Sequence, residues 1–209
     1  MPELWIGSNN KKKRVELSRL LAPLDIVLRT PDELGQDFAP IEDQPDFAGN
    51  ARKKATLLAN LSGGIALADD SGLCVDALDG RPGVLSARYG GPGLDDRGRL
   101  LRLLEELGDR PVEQRSGRFV CSLCLAAPGD RVLASIEAAC EGVLLTEPTG
   151  DEGFGYDPIF VPVEYADDPS QSFAVLGAEI KDRLSHRGKA LRQLAKDLPQ
   201  LIASESQAG

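Results

Sequence analysis

The amino-acid sequence predicts an α/β fold, a mixed β-sheet flanked by helices, and three observations carry the prediction. Short apolar runs alternate along the chain with segments whose leucines recur at helical spacing. Clusters of glycine and proline separate these runs. The length of 209 residues, 42 % of them apolar, suits one large domain, or two lobes sharing a core, at about 150 residues per domain.

In chain order, residues 4–8 (Leu-Trp-Ile-Gly-Ser) read as a short strand. Residues 11–21 read as a helix, its apolar stripe running through Leu17, Leu20, Leu21 and Leu24. Residues 25–29 are a second strand, and a polar, proline-containing loop leads on to Asp46. Residues 47–61 are a second helix, ended by Gly63-Gly64. Residues 65–68 are a strand that runs straight into Asp69-Asp70-Ser71-Gly72. Two glycine-proline clusters, at 80–83 and 90–93, are turns, and residues 95–107 are a helix bearing Leu100, Leu103, Leu104 and Leu107. Residues 115–127 and 131–145 form a long hairpin around Pro128-Gly129-Asp130, and a loop rich in glycine and acid covers 146–158. The C-terminal helix carries Leu191, Leu194, Ala195 and Leu198, and residues 203–209 are expected to fray.

Lys and Arg number 24 against 33 Asp and Glu, a formal charge of −9, with a pI near 4.7. So acidic a chain has no general attraction to duplex nucleic acid or to anionic membrane, and an anionic ligand must be held by a local positive site. No run approaches the ~18 apolar residues of a membrane span. Met1-Pro2-Glu3 opens without a basic-then-apolar leader, so a soluble, cytoplasmic protein is expected. Cys121 and Cys124 form a CxxC within a strand, where three steps set their α-carbons roughly 10 Å apart and on opposite faces. His186 is the only histidine, so buried thiols fit better than a metal site.

Four segments depart from what stability alone would choose. Ser8-Asn9-Asn10-Lys11-Lys12-Lys13-Arg14 puts an N-cap, Asn9 or Asn10, before four consecutive cations. Cations in a first turn oppose the helix dipole by roughly 0.3–1 kcal/mol each. A strand end, a polar turn and backbone N–H groups at a helix start make an anion cradle suited to phosphate; the alternative is a solvated basic face. Asp69-Asp70-Ser71-Gly72 lies at the carboxyl end of a strand, which faces the ligand crevice of an open α/β sheet. A carboxylate there suits Mg²⁺, which takes one or two carboxylates plus phosphate oxygens; the plainer reading is a turn.

Gly153-Phe154-Gly155-Tyr156-Asp157-Pro158 concentrates aromatics in a chain only 5 % aromatic. A ring flanked by glycines can stack on a flat base for roughly 1–3 kcal/mol, or else plug an apolar core. The fourth segment is Lys181 with Ser185-His186-Arg187. Ser185 would cap the last helix, and the N–H groups of Lys181, His186 and Arg187 could donate to a carbonyl-bearing ring.

Together and in this order, the four segments resemble the inosine triphosphate pyrophosphatase family (XTP/dITP diphosphatases) over nearly the whole chain. Ser8, Asn10 and Lys13 match its Ser/Thr-x-Asn-x-x-Lys pattern, and residues 68–73 with 80–89 match its central signature. Gly153–Pro158 and Ser185–Arg187 match the last two motifs. The resemblance implies an elongated fold of two lobes around a central nucleotide cleft, usually a homodimer. It implies Mg²⁺-dependent hydrolysis of ITP, dITP and XTP to the monophosphate and pyrophosphate. By the matched motifs Asp70 is general base and metal ligand, and Glu42 a second metal ligand, with Asp43 or Asp46 as substitutes. Ser8, Asn10, Lys13 and Ser71 would hold the triphosphate. Phe154, Gly155, Tyr156, Asp157, Lys181, His186 and Arg187 would hold the base and sugar.

One departure stands out: where the family reads Phe-x-Glu-Asn-Ala, this chain has Phe47-Ala48-Gly49-Asn50-Ala51. The alternatives are a septum-formation-type nucleotide pyrophosphatase acting on modified or pyrimidine nucleotides, and a nucleotide sensor without turnover. Phosphoryl transfer asks a protein mainly for positioning and charge neutralisation. Lys13 would offset charge on the pyrophosphate leaving group, and Asp70 would take a proton from the attacking water.

Overall fold

A computed structural model describes the backbone of residues 1–208 and the side chains of residues 1–205. Six strands form one mixed sheet: β1 (Glu3–Ile6), β2 (Val27–Arg29), β3 (Ala66–Val75), β4 (Ser116–Ala127), β5 (Arg131–Leu144) and β6 (Phe160–Pro162). Their order is β2-β1-β3-β4-β5-β6. β1 is parallel to β2 and β3, with Trp5 opposite Ala66 and Ile6 opposite Leu67, whereas β5 and β6 are antiparallel. Six helices accompany the sheet: α1 (Lys11–Leu21), α2 (Phe47–Ser62), α3 (Asp96–Leu107), α4 (Phe173–Leu184), α5 (His186–Leu194) and α6 (Leu198–Ala208). Among the described residues no helix is long and apolar enough to cross a membrane.

The chain divides into two compact units, and β3, β4 and β5 each contribute to both. The first unit comprises Met1–Asp70, Cys121–Ala138 and the chain from Gly188 onward. One face of its sheet packs Leu4, Ile6, Leu67, Cys121, Leu123 and Leu125 against Leu17 and Leu21 of α1 and Leu191, Leu194, Leu198 and Ile202 of α5 and α6. The other face packs Ala66, Ala68, Cys124 and Ala126 against Ala51, Ala55, Leu58 and Ala59 of α2. Cys121 and Cys124 thus lie in different apolar clusters, as strand alternation requires, and all four cysteines are free thiols. The small residues facing α2 let its backbone approach the sheet, and truncating Leu58, fully buried there, would cost about 2–5 kcal/mol.

The second unit, Ser71–Val120 and Ala139–Arg187, has its own core of Leu73, Val75, Leu100, Leu103, Leu107, Phe119, Leu144, Ile159, Phe160 and Phe173. Arg115 is buried inside it, donating to the carbonyls of Gly108, Leu144 and Leu145.

The structure differs from the sequence reading in four places. Residues 69–72 are not a turn: β3 runs through them unbroken to Val75. The C-terminal helical segment is two helices, because Pro199 has no N–H and its ring would clash with the carbonyl of Ala195 in a continuous helix; the chain turns over 195–197 and restarts at Leu198. Residues 203–208, expected to fray, continue α6, tied down by buried Ile202 and an ion pair between Arg131 and Glu205; Gly209 lies outside the described residues. Helix α4, interrupted at Gly177 (φ 75°), and the short β6 have no clear periodicity in the sequence.

Candidate active site

Strand alternation decides where the two aspartates of β3 point. Leu67 faces α1 and Ala68 faces α2, so Asp69 points to the α1 side and Asp70 to the α2 side. Each finds a lysine. Lys13 of α1 lies 3.2 Å from Asp69 Oδ2, and Lys54 of α2 donates to Asp70 Oδ1 at 2.8 Å. Asn50, one turn before Lys54, donates to Asp70 Oδ2 at 3.0 Å, and its own Oδ1 accepts from the backbone N–H of Gln44. Lys54 also donates to Glu42 Oε1 at 2.7 Å. One buried ammonium therefore binds both carboxylates that the sequence nominates as metal ligands.

These charges are deeply placed: Lys54 is 5 % exposed, Asp70 6 % and Asp69 1 %. Burial raises the Asp70 carboxyl above its ordinary value, against the pull of Lys54 and Lys13. Burial also works against the Lys54 ammonium, but Asp70, Asp69 and Glu42 outweigh it and hold its pKa above the usual lysine value. Among the described residues no group of three or more His, Cys, Asp or Glu side chains is gathered for a metal. Glu42 and Asp70 are nonetheless two hard oxygen donors converging on one cation, the arrangement that suits Mg²⁺ with its remaining positions left to phosphate and water.

The start of α1 is organised by Asn10, whose Oδ1 accepts from the N–H groups of Lys12 and Lys13 at 2.9 and 3.2 Å. Those two amides serve the cap, which corrects the expectation of a backbone anion cradle. Ser8 Oγ accepts from the Asn10 N–H at 3.3 Å, and Lys13 carries its ammonium from this turn to Asp69. Asn9 is tied to the carbonyl of Phe38. At Gly49 a side chain would start 2.8 Å from Gln44 Cβ and 3.0 Å from Asp46 Oδ1. Asp46 is occupied as the N-cap of α2, accepting from Gly49 N–H at 2.7 Å, and Asp43 pairs with exposed Lys53, so of the loop's acids Glu42 is the one joined to Asp70 through Lys54.

In the second unit, Ser71 follows Asp70 on β3, and buried Arg187 donates to its Oγ at 2.8 Å. His186 stacks on Phe119 with ring centroids 4.9 Å apart. The turn at 153–157 closes on Asp157, whose Oδ2 accepts from Phe154 N–H at 2.8 Å and from Lys181 Nζ at 2.7 Å. Lys181 Nζ sits 4.6 Å from the centroid of the Phe154 ring. Gly153 (φ 76°) is required here, since a Cβ would lie 2.2 Å from Asp157 Oδ2. Tyr156 points into the core and donates to the carbonyl of Ser86 at 2.9 Å, so it supports the turn from behind. Phe154, Asp157 and Lys181 are thus one group, as the sequence suggests, and Tyr156 is part of its foundation.

Lys54 and Asp69 are absent from the sequence-derived site, and Asn50 enters there only as part of a motif. A signal exists: Asn50 and Lys54 are two polar residues at i, i+4 inside the apolar stripe Phe47, Ala51, Ala55, Leu58 of α2. A lysine at a core position needs a buried acid as partner.

The sequence model of the Ham1 family matches residues 4–197. The chain belongs to the Ham1 family. A dITP/XTP pyrophosphatase of Desulfotalea psychrophila is 44 % identical over 202 residues, covering 97 % of this chain and 87 % of that one. One from Gloeobacter violaceus is 46 % identical over 191 residues, 91 % of each chain. Among solved structures, a HAM1 protein from Coxiella burnetii superposes with a TM-score of 0.82 at 36 % identity, covering 96 % of this chain and all of the other. The mixed α/β sheet with flanking helices is the fold of this family.

Proposed function

We propose that this Ham1 family member hydrolyses the deaminated purine nucleoside triphosphates ITP, dITP and XTP to the monophosphate and pyrophosphate, clearing them from the nucleotide pool. The observation that carries the reading is the buried Lys54–Asp70–Glu42 group, in a chain 44–46 % identical to relatives named dITP/XTP pyrophosphatases. No observation favours the septum-formation-type or sensor alternative.

Asp70 accepts the proton of the attacking water, and burial, by raising its pKa, makes the carboxylate a stronger base than an exposed one. Lys54 and Asn50 bind one oxygen each of Asp70, which holds the carboxylate in a single orientation. Lys13, with Ser8, neutralises the phosphate chain and the departing pyrophosphate. Ser71 is assigned to the triphosphate, and Arg187, which donates to its Oγ, holds that hydroxyl in place. Phe154 stacks on the base, and Lys181 presents a donor to the 6-oxo group. A 6-amino group would leave that donor unmatched, a mismatch that reaches roughly 10⁴-fold in polar sites. Mg²⁺ is the proposed cofactor, held by Glu42 and Asp70, where it would neutralise phosphate oxygens. A cytoplasmic homodimer completes the reading, and sedimentation of the full chain tests the dimer.

The test is product release from ITP, XTP, GTP and ATP with Mg²⁺, with pyrophosphate and orthophosphate assayed separately. Pyrophosphate from ITP and XTP, with little from GTP or ATP, is the expected result. Orthophosphate alone, or no product from any of the four, overturns the proposal.

A further inference from the structure

Asp96 lies outside every motif described above, on the first turn of α3, yet it reaches the base-side turn. Its Oδ2 accepts from the backbone N–H of Gly155 at 3.2 Å, across 59 residues of chain. Phe154 therefore sits between two carboxylate-bound amides: its own N–H on Asp157, and that of Gly155 on Asp96. Gly155 has a left-handed φ of 62°, a conformation that glycine adopts without steric cost. Asp157 also carries Lys181, whose ammonium covers the Phe154 ring. Tyr156 pins the far side of the turn through Ser86, and Ser86 Oγ in turn accepts from Leu73 N–H at 2.9 Å on β3. Of these contacts, only that of Asp96 comes from α3.

We infer that Asp96 is a positioning residue for base discrimination: by holding Gly155 N–H it fixes the backbone that carries Phe154 and, through Asp157, the place of Lys181. Hydrogen bonds to a charged acceptor are the stronger kind, and this one adds a constraint from α3 to a ring that Asp157 and Lys181 hold from the other side of the turn. Arg99, one turn along α3, lies 3.3 Å from Asp96 Oδ1 and leaves Oδ2 directed at Gly155. Asp95, not Asp96, is the N-cap of α3, so replacing Asp96 leaves the helix start intact.

The inference rests on the proposed base-side role of Phe154 and Lys181, and its test is independent of turnover. Binding of the α,β-methylene analogues of ITP and ATP to the full chain is measured by calorimetry, alongside hydrogen exchange of the Gly155 amide by NMR. Asp96→Ala is expected to lower the ITP-over-ATP preference about tenfold, the weight of one charge-assisted hydrogen bond, and to speed exchange at Gly155. Asp96→Asn keeps an acceptor at the same place and is expected to retain both properties. Unchanged preference in Asp96→Ala, unchanged exchange, or a wild type without preference overturns the inference. A wild type that binds the ITP analogue selectively but releases no pyrophosphate from ITP would sink the hydrolytic reading and leave the role of Asp96 standing.

Discussion

Lys54 donates to Asp70 from the buried, mostly apolar face of α2, at 2.8 Å and with both side chains under 10 % exposed. A buried pair of this kind is weak evidence for stability, since desolvation offsets most of its attraction. What it fixes is orientation: with Asn50 on the second oxygen, Asp70 has no free rotation left. A carboxylate so held has its lone pairs directed before any substrate arrives, which is the preorganisation that proton transfer requires.

Breaking the pair from one side should be costly. Lys54→Met leaves Asp70 buried beside a methyl group and is expected to lower the unfolding free energy by about 3–5 kcal/mol in urea melts. Adding Asp70→Asn to that variant should recover most of the loss, so the double-mutant cycle shows strong coupling. Additive effects would contradict the pairing.

Asp70→Asn alone should abolish turnover while the far-UV circular dichroism stays that of the wild type. The amide keeps the shape and the contact with Lys54 but cannot take a proton, so a fall in kcat of about 10³-fold or more is expected. A rate near that of the wild type would remove Asp70 from the chemistry.

Lys181 and Arg187, both buried in the second unit, should separate by phenotype. Lys181→Ala takes the ammonium from above the Phe154 ring, and the ratio of kcat/KM for ITP over ATP should fall by at least about tenfold. Arg187→Ala takes the donor from Ser71 and should raise KM for every triphosphate alike. Selectivity intact in Lys181→Ala would place base recognition elsewhere.

Alkaline pH should expose two tyrosines only as the fold is lost. Burial, with Glu106 beside its hydroxyl, pushes Tyr89 up to about 12, and burial raises Tyr156 further still. Because both folded values lie above the usual 10, their stabilisation is complete below pH 10 and is lost as pH rises through the folded values. At pH 11 Tyr89 and Tyr156 of the folded protein should therefore add little phenolate absorbance near 295 nm, and urea should release it. Full absorbance at pH 11 with unchanged circular dichroism would disprove this.

Much of the frame is written in local chemistry. Helix α1 spans the residues that the leucine spacing picks out, because Asn10 caps it and the stripe has a sheet to cover. Likewise Asp46 caps α2, Asp95 caps α3, and Pro128-Gly129-Asp130 turns the long hairpin between β4 and β5. The proposed site residues Asp70, Lys13, Ser71, Phe154, Asp157, Lys181 and Arg187 are visible too, because they fall in the four segments that carry the family resemblance. Pro199 is equally visible as a helix breaker, although the leucine stripe from Leu191 to Leu198 runs across the break between α5 and α6.

Tertiary structure decided the rest. Asp69-Asp70-Ser71-Gly72 has turn propensity, yet it is strand, because β3 continues beside β4 and lysines from two helices satisfy the two aspartates on opposite faces. Lys54 interrupts the apolar stripe of α2 but has no identifiable partner until α2 lies on the sheet, and Asp96 looks like a helix-start acid until α3 meets the turn at Gly155. Periodicity and capping are settled within a few residues of chain, so they can be read one segment at a time. A buried charge or a clamped amide depends on a partner that is 16 residues away for Lys54 and 59 for Asp96, and only the folded chain brings them together.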